Sequence, residues 1–120
     1  MGKINSYKDL IVWQKGIEIV LLSYNISKGF PADEKFGLIS QLRRAAVSIP
    51  SNISEGWGRG TKAHYANFLR TARGSLLELE TQLIISEKLK YYKKFETIFS
   101  LINEESKMLN SLIKKVETNA

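Results

Sequence analysis

The apolar residues of this 120-residue chain recur every three or four positions along four successive segments. No sustained alternation of apolar and polar residues accompanies them, so strands are not indicated. Spacings of three and four place side chains on one side of an α-helix. The sequence therefore predicts an all-α fold in which each of four helices buries one stripe. The stripes are Leu10, Trp13, Ile17, Leu21 and Tyr24; Leu38, Leu42, Ala45, Ile49 and Ile53; Tyr65, Leu69, Ala72, Leu76, Leu79 and Leu83; and Phe95, Ile98, Ile102, Leu109, Leu112 and Val116.

Capping residues set the ends of the predicted helices. Ser6, with Asp9 three residues later, is typical of an N-terminal capping box, Gly29 is typical of a helix end, and Thr61 is a good N-cap for the third helix. A chain of this length is expected to form a single domain, here 1–120. The helices are predicted at about 7–29, 33–56, 61–90 and 93–117.

Pro50 lies inside the second apolar stripe. Proline removes one backbone donor and crowds the preceding turn, so it either ends a helix or kinks it. The stripe keeps its phase through Ile53, which favours a kink at Pro50. Short connections between the helices then predict an antiparallel, up-down-up-down four-helix bundle.

Composition removes several classes of chemistry. The chain has no cysteine, which excludes disulfides, thiolate metal sites and cysteine nucleophiles. Its single histidine, His64, has no cysteine or second histidine to share a metal. Glu78 and Glu80 are two residues apart and point in different directions on a helix. We therefore expect no catalytic residue, no metal, no cofactor and no enzymatic activity.

The absence of cysteine also suits a reducing compartment. No apolar stretch approaches the roughly 20 residues of a membrane span, and the N-terminal residues lack the apolar segment of a secretory signal. We expect a cytoplasmic protein without membrane contact.

The positive charge is concentrated in the middle of the chain. The net charge is +6, and residues 35–77 carry this whole excess together with every arginine. Arginine presents a planar donor fork that suits phosphate, and the second and third helices would bring their arginines onto one half of the bundle. This arrangement predicts an oligomeric protein that binds structured RNA or an RNA–DNA hybrid through phosphate contacts. The predicted contacts are Arg43, Arg44, Arg59, Lys62, Arg70 and Arg73.

A second interpretation of the arginines stays open. Arg43 and Arg73 would form salt bridges between subunits with Glu55, Glu78 or Glu80. The protein would then be an interaction scaffold whose arginines stabilise the oligomer or bind an acidic protein partner.

The glycine-rich segment at 56–60 is interpreted as a turn between helices, because it lacks the spacing of a phosphate-binding loop. Arg59 and Lys62 flank the start of the third helix, where an anion could bind. Glu55 is four residues before Arg59 and is expected to pair with an arginine such as this one.

The first helix carries more apolar residues than one bundle face needs. Opposite its stripe lie Val12, Ile19, Leu22 and Ile26. A bundle helix buries one side, so a second apolar side predicts an interface. We expect a homo-oligomer that uses these four residues.

Several runs of residues form a pattern that extends from residue 7 to about residue 90. They are YKDL at 7–10, VWQK at 12–15, FP at 30–31, FGL at 36–38, QLRRAAVSIPSNI at 41–53, EG at 55–56, GSL at 74–76 and ELE at 78–80. This pattern resembles the four-helix-bundle proteins encoded in intervening sequences of bacterial 23S ribosomal RNA. The resemblance implies a ring-like homopentamer and does not imply an enzyme. It also implies kinship with the accessory proteins of diversity-generating retroelements, which bind nucleic acid and a reverse transcriptase.

Overall fold

A computed structural model describes residues 3–118, and these residues form four α-helices, two short 3-10 helices and no strand. The predicted domain limits at residues 1 and 120 lie outside the described part. The α-helices are α1 (Ile11–Ser27), α2 (Leu38–Gly58), α3 (Lys62–Lys88) and α4 (Glu96–Thr118). α1 packs on α2 and α4, and α3 packs on the same two helices. The predicted all-α four-helix bundle is confirmed.

The first helix begins later than predicted. The capping box forms, since the Ser6 hydroxyl accepts a hydrogen bond from the Lys8 N–H and the Asp9 carboxylate accepts one from the Ser6 N–H. It caps the short 3-10 helix Tyr7–Asp9 instead of the long helix, which starts at Ile11.

The second helix also begins later and ends later than predicted. A short 3-10 helix at Ala32–Glu34 and a turn precede Leu38, where α2 begins. α2 then continues past Pro50 to Gly58. The predicted cap of the third helix is confirmed, because the Thr61 side chain accepts a hydrogen bond from the His64 N–H.

The predicted stripes of α2, α3 and α4 face the core. Their members are buried except for Leu38, Tyr65 and Leu112, which are half-buried. Glu105 also occupies a core position of α4, between Ile102 and Leu109. The sequence pattern did not predict this buried carboxyl group.

The helix α1 presents to the core the side opposite to the predicted one. Leu21 of the predicted stripe is 66% exposed and Tyr24 is 39% exposed. The oligomer interface predicted on α1 is therefore wrong, because three of its four residues lie in the chain's own core and Leu22 is half-buried against that core. The face of α1 that is buried in the core consists of Val12, Gly16, Ile19, Ser23 and Ile26.

Two small residues explain why the sequence pattern predicted the wrong side of α1 to face the core. Gly16 and Ser23 interrupt the apolar pattern on the buried side of α1, while the pattern on the exposed side is unbroken. Gly16 leaves room for Glu105 of α4: a Cβ built on Gly16 would lie 3.4 Å from Glu105 Oε2 and 3.4 Å from Pro50 Cβ. A Cβ at this position would thus be in van der Waals contact with a polar side chain of α4 and with Pro50 of α2.

Small residues also bring α2 and α3 close together beside their connecting turn. A Cβ built on Gly56 would lie 2.6 Å from the Cβ of Phe68. Further along the pair, the hydroxyls of Ser48 and Ser75 are hydrogen-bonded at 2.8 Å. These contacts fix the spacing of the two helices that carry the arginines.

Candidate nucleic-acid interface

The arginines of α2 and α3 do not converge on one patch. Arg43 of α2 points towards α1, where its Nε donates a hydrogen bond to the Ser27 hydroxyl at 2.9 Å. Its guanidinium group lies 4.5 Å from the centre of the Tyr24 ring. Arg43 therefore holds α1 against α2.

Arg70 and Arg73 point away from α2, towards α4. Arg70 forms a salt bridge with Glu117 and donates a hydrogen bond to the Asn67 side chain at 2.9 Å. Arg73 donates a hydrogen bond to Asn110 Oδ1 at 3.0 Å. Arg43 therefore lies at the contact of α1 with α2, whereas Arg70 and Arg73 lie at the contact of α3 with α4.

Two further predicted cations lie at the turn between α2 and α3. Arg59 forms a salt bridge with Glu55 at 2.7 Å, which confirms the predicted pairing. Its guanidinium also lies 5.0 Å from the centre of the Phe68 ring. Lys62 is the exposed first residue of α3. The turn thus presents two cations at one end of the bundle, of which Arg59 is paired with Glu55.

Arg44 differs from the other predicted arginines. Its side chain is exposed and, among residues 3–118, it has no hydrogen-bond, ion-pair or ring partner. It lies between a smaller depression on the α2–α3 side, lined in part by Glu78, and a larger groove on the α1–α2 side. An unpartnered guanidinium group at a groove edge is available to an incoming anion.

The larger groove is basic and aromatic. It has a volume of about 670 Å³, and no acidic residue lines it. The side chain of Phe36 is 89% exposed, and the Lys35 amine lies 5.5 Å from the centre of its ring. We call this site the Phe36 groove and define it by Tyr24, Lys35, Phe36, Arg43, Arg44 and Val47.

The turn that carries Phe36 is anchored by its neighbours. Glu34 accepts a hydrogen bond from the Leu38 N–H at 3.1 Å and another from the Tyr91 hydroxyl at 2.8 Å. Glu34 therefore serves the start of α2 and the α3–α4 connection, while the Phe36 ring projects outward. Sequence reasoning missed Phe36, although a large apolar residue outside every stripe was a visible signal.

The structure also allows metal binding and membrane spanning to be assessed for the described residues. Within 3–118, no group of three histidine, cysteine, aspartate or glutamate residues could hold a metal ion. Across the same residues, no helix has both the length and the apolar character that a membrane span requires.

Two apolar faces of the single chain are only partly covered by its own helices. The α1 face is the outward part of the first helix and consists of Trp13, Ile17, Val20 and Leu21, of which Leu21 is the most open. The α3 face consists of Leu77, Ile84, Ile85 and Leu89, which are 39–51% exposed. Contiguous exposed apolar residues of this kind are typical of protein interfaces.

Comparison with known proteins places this architecture in a family. Residues 8–111 match the family model described as 23S rRNA-intervening sequence protein. The chain belongs to this family. The resemblance seen in the sequence is thereby confirmed at the level of the intervening-sequence family.

A solved structure shares the fold of this intervening-sequence protein. The crystal structure of a protein of unknown function from the S23 ribosomal protein family of Bacteroides thetaiotaomicron has a TM-score of 0.77 and 26% sequence identity. The similarity covers 87% of this chain and 99% of that one. No curated protein matches the sequence.

Proposed function

We propose that this member of the intervening-sequence family is a non-enzymatic, homo-oligomeric protein that binds structured RNA or an RNA–DNA hybrid through its phosphates. The observation that carries the proposal is the unpartnered Arg44, which lines with Lys35 and Arg43 a groove that has no acidic lining residue. The family name, which refers to an rRNA intervening sequence, favours RNA as the polyanion.

The six sequence-predicted cations have different roles in this proposal. Arg44 contacts phosphate directly, and Lys62 and Arg59 add positive charge at the turn. Arg43, Arg70 and Arg73 hold neighbouring helices together and contribute to binding through their charge. An RNA-binding surface on a chain of net charge +6 gains long-range attraction from all of these residues.

Self-association is the second part of the proposal. The α1 face and the α3 face lie on helices that do not pack against each other within the chain. Two different apolar faces on one protomer favour a head-to-tail contact, which closes into a ring when the rotation allows it. The homopentamer implied by the family resemblance is such a ring. The implied kinship with the accessory proteins of diversity-generating retroelements extends the proposal to a reverse transcriptase as a protein partner.

The test of RNA binding is a titration of a labelled RNA hairpin followed by fluorescence anisotropy. We expect log affinity to fall linearly with log salt between about 50 and 200 mM, because phosphate contacts release counterions. Absence of binding at the lowest salt would contradict the proposal.

An alternative function is an interaction scaffold whose arginines are structural or bind an acidic protein. The observation that favours it is the set of contacts that Arg59, Arg70 and Arg73 make within the chain. An oligomer purified at low salt with the 260/280 nm absorbance ratio of pure protein would support the scaffold over the RNA-binding protein.

A further inference from the structure

We propose that the Phe36 groove binds an unpaired nucleotide, with the base stacked on the Phe36 ring and the adjoining phosphate held by Arg44. This inference rests on the proposed RNA-binding function and specifies which part of the RNA the groove takes.

The exposure of Phe36 is the first argument. Its side chain is 89% exposed, more than any other large apolar residue among those described. The turn that carries it is held by Glu34 through the Leu38 N–H and the Tyr91 hydroxyl, so the ring is presented from an anchored backbone. An exposed ring on a fixed support is a platform on which any base can stack.

The charges around the ring are the second argument. The Lys35 amine lies 5.5 Å from the ring centre, so a phosphate next to a stacked base is within reach of a cation. Arg43 supplies fixed positive charge at the wall, because Ser27 and the Tyr24 ring hold its guanidinium group. Arg44 has no partner of its own among residues 3–118 and supplies an open donor fork for the phosphate.

The size and composition of the groove favour a nucleotide over a bare phosphate. Its volume of about 670 Å³ lies within the range of small-molecule sites. Ile39 and Val47 line it together with the two aromatic rings, so it offers apolar surface as well as charge. Alternating aromatic and basic groups are the pattern by which proteins bind single strands.

The same features exclude a paired base as the occupant. In a duplex the base faces are covered by their neighbours, so an aromatic side chain reaches them only in loops, bulges and ends. The groove is therefore expected to distinguish unpaired from paired RNA, whereas the phosphate contacts alone would not.

The experiment compares two probes and three variants of the full chain. The probes are a labelled uridine oligonucleotide of about twelve residues and a blunt RNA duplex of equal length. The variants are Phe36→Ala, Phe36→Trp and the control Ile11→Ala, which removes an apolar side chain that is 63% exposed outside the groove. Affinities are measured by anisotropy, and the assembly state of each variant by sedimentation.

We expect Phe36→Ala to lower the affinity for the oligonucleotide roughly tenfold or more and to leave duplex binding and the salt slope unchanged. Phe36→Trp should retain the affinity, and Ile11→Ala should match the parent. Equal oligonucleotide binding by Phe36→Ala and the parent would overturn the stacking site while leaving RNA binding intact. A change in assembly without a change in affinity would show instead that a second copy covers Phe36. If the parent binds neither probe, the proposed function itself fails.

Discussion

The carboxyl group of Glu105 on α4 faces Gly16 on α1, with Oε2 3.4 Å from the position that a Cβ on Gly16 would take. Glu105 is completely buried, and neither of its carboxyl oxygens has a hydrogen-bond partner among the described residues. Removal from water raises the pKa of this carboxyl group from 4.5 to about 8, with Lys15 lowering it and Glu18 raising it further. Glu105 is therefore a neutral acid in the folded protein at neutral pH.

This pKa makes the stability of the fold depend on pH. Between about pH 4.5 and pH 8 the unfolded chain has lost the proton of Glu105 and the folded chain keeps it. The folded state binds more protons, so the free energy of unfolding falls as the pH rises through this window, by at most about 1.4 kcal/mol per pH unit. Below about pH 4.5 both the folded and the unfolded chain hold the proton of Glu105, so this group no longer lowers the free energy of unfolding.

The substitution Glu105→Gln isolates this effect, because it keeps the shape of the side chain and removes its ionisation. We expect urea unfolding at about pH 5 and about pH 8 to show a stability gain over the parent that grows with pH. A gain of the same size at both pH values would mean that the carboxyl group is not titrating in this window.

Gly16 and Gly56 are expected to respond oppositely to alanine. At Gly16 the nearest atoms to a new Cβ are at 3.4 Å, which is an ordinary contact distance. Gly16→Ala should therefore stabilise the protein by about 0.5–1 kcal/mol through helix propensity. Thermal unfolding measures the difference, and a lower melting temperature would show that crowding at Glu105 outweighs propensity.

At Gly56 a new Cβ would lie 2.6 Å from Phe68 Cβ and 3.3 Å from the backbone oxygen of Tyr65. The helices α2 and α3 would have to separate, so Gly56→Ala should destabilise the fold by about 1–3 kcal/mol. The matched pair tests whether close packing is confined to the turn end of the bundle, and equal effects at both glycines would argue against this.

Much of this architecture could be predicted from the sequence, because Leu42, Leu76 and Ile102 recur with their neighbours at helical spacing and are buried accordingly. Which side of α1 is exposed could not be predicted, because the periodicity of large apolar residues carries no information on Gly16. This residue has no side chain and allows α4 and α2 to approach α1 closely. The pairing of Gly16 with Glu105 depends on two helices far apart in the sequence.

The candidate site was predictable in part. The basic character of α2 and α3 was visible in the sequence, and the pairing of Arg59 with Glu55 follows from a spacing of four residues. The partners of Arg43 and Arg73 were not predictable, since Ser27 and Asn110 lie on helices that reach them only in the folded bundle.

Two variants that damage different apolar faces test the proposed head-to-tail assembly. Leu21→Asp alters the α1 face and Ile85→Asp alters the α3 face, and both residues are exposed in the single chain. A head-to-tail contact uses one face from each copy, so each variant alone should sediment as a 13.6 kDa monomer.

Mixing the two variants provides the control. Each retains one intact face, so the mixture should form a dimer of one copy of each variant and no larger ring. A variant that still assembles alone would show that its altered face is not part of the interface, and a parent that sediments as a monomer would remove self-association from the proposal.

The most direct test of the RNA-binding account compares Arg44→Ala with Arg73→Ala in salt titrations against one RNA duplex. Arg44 has no partner among residues 3–118, whereas Arg73 is bonded to Asn110. We predict that Arg44→Ala lowers the affinity about tenfold and reduces the salt slope by about 0.9 per lost contact, while Arg73→Ala, which removes only long-range attraction, causes a clearly smaller loss of affinity. Loss of binding in Arg73→Ala with parental binding in Arg44→Ala would contradict the account.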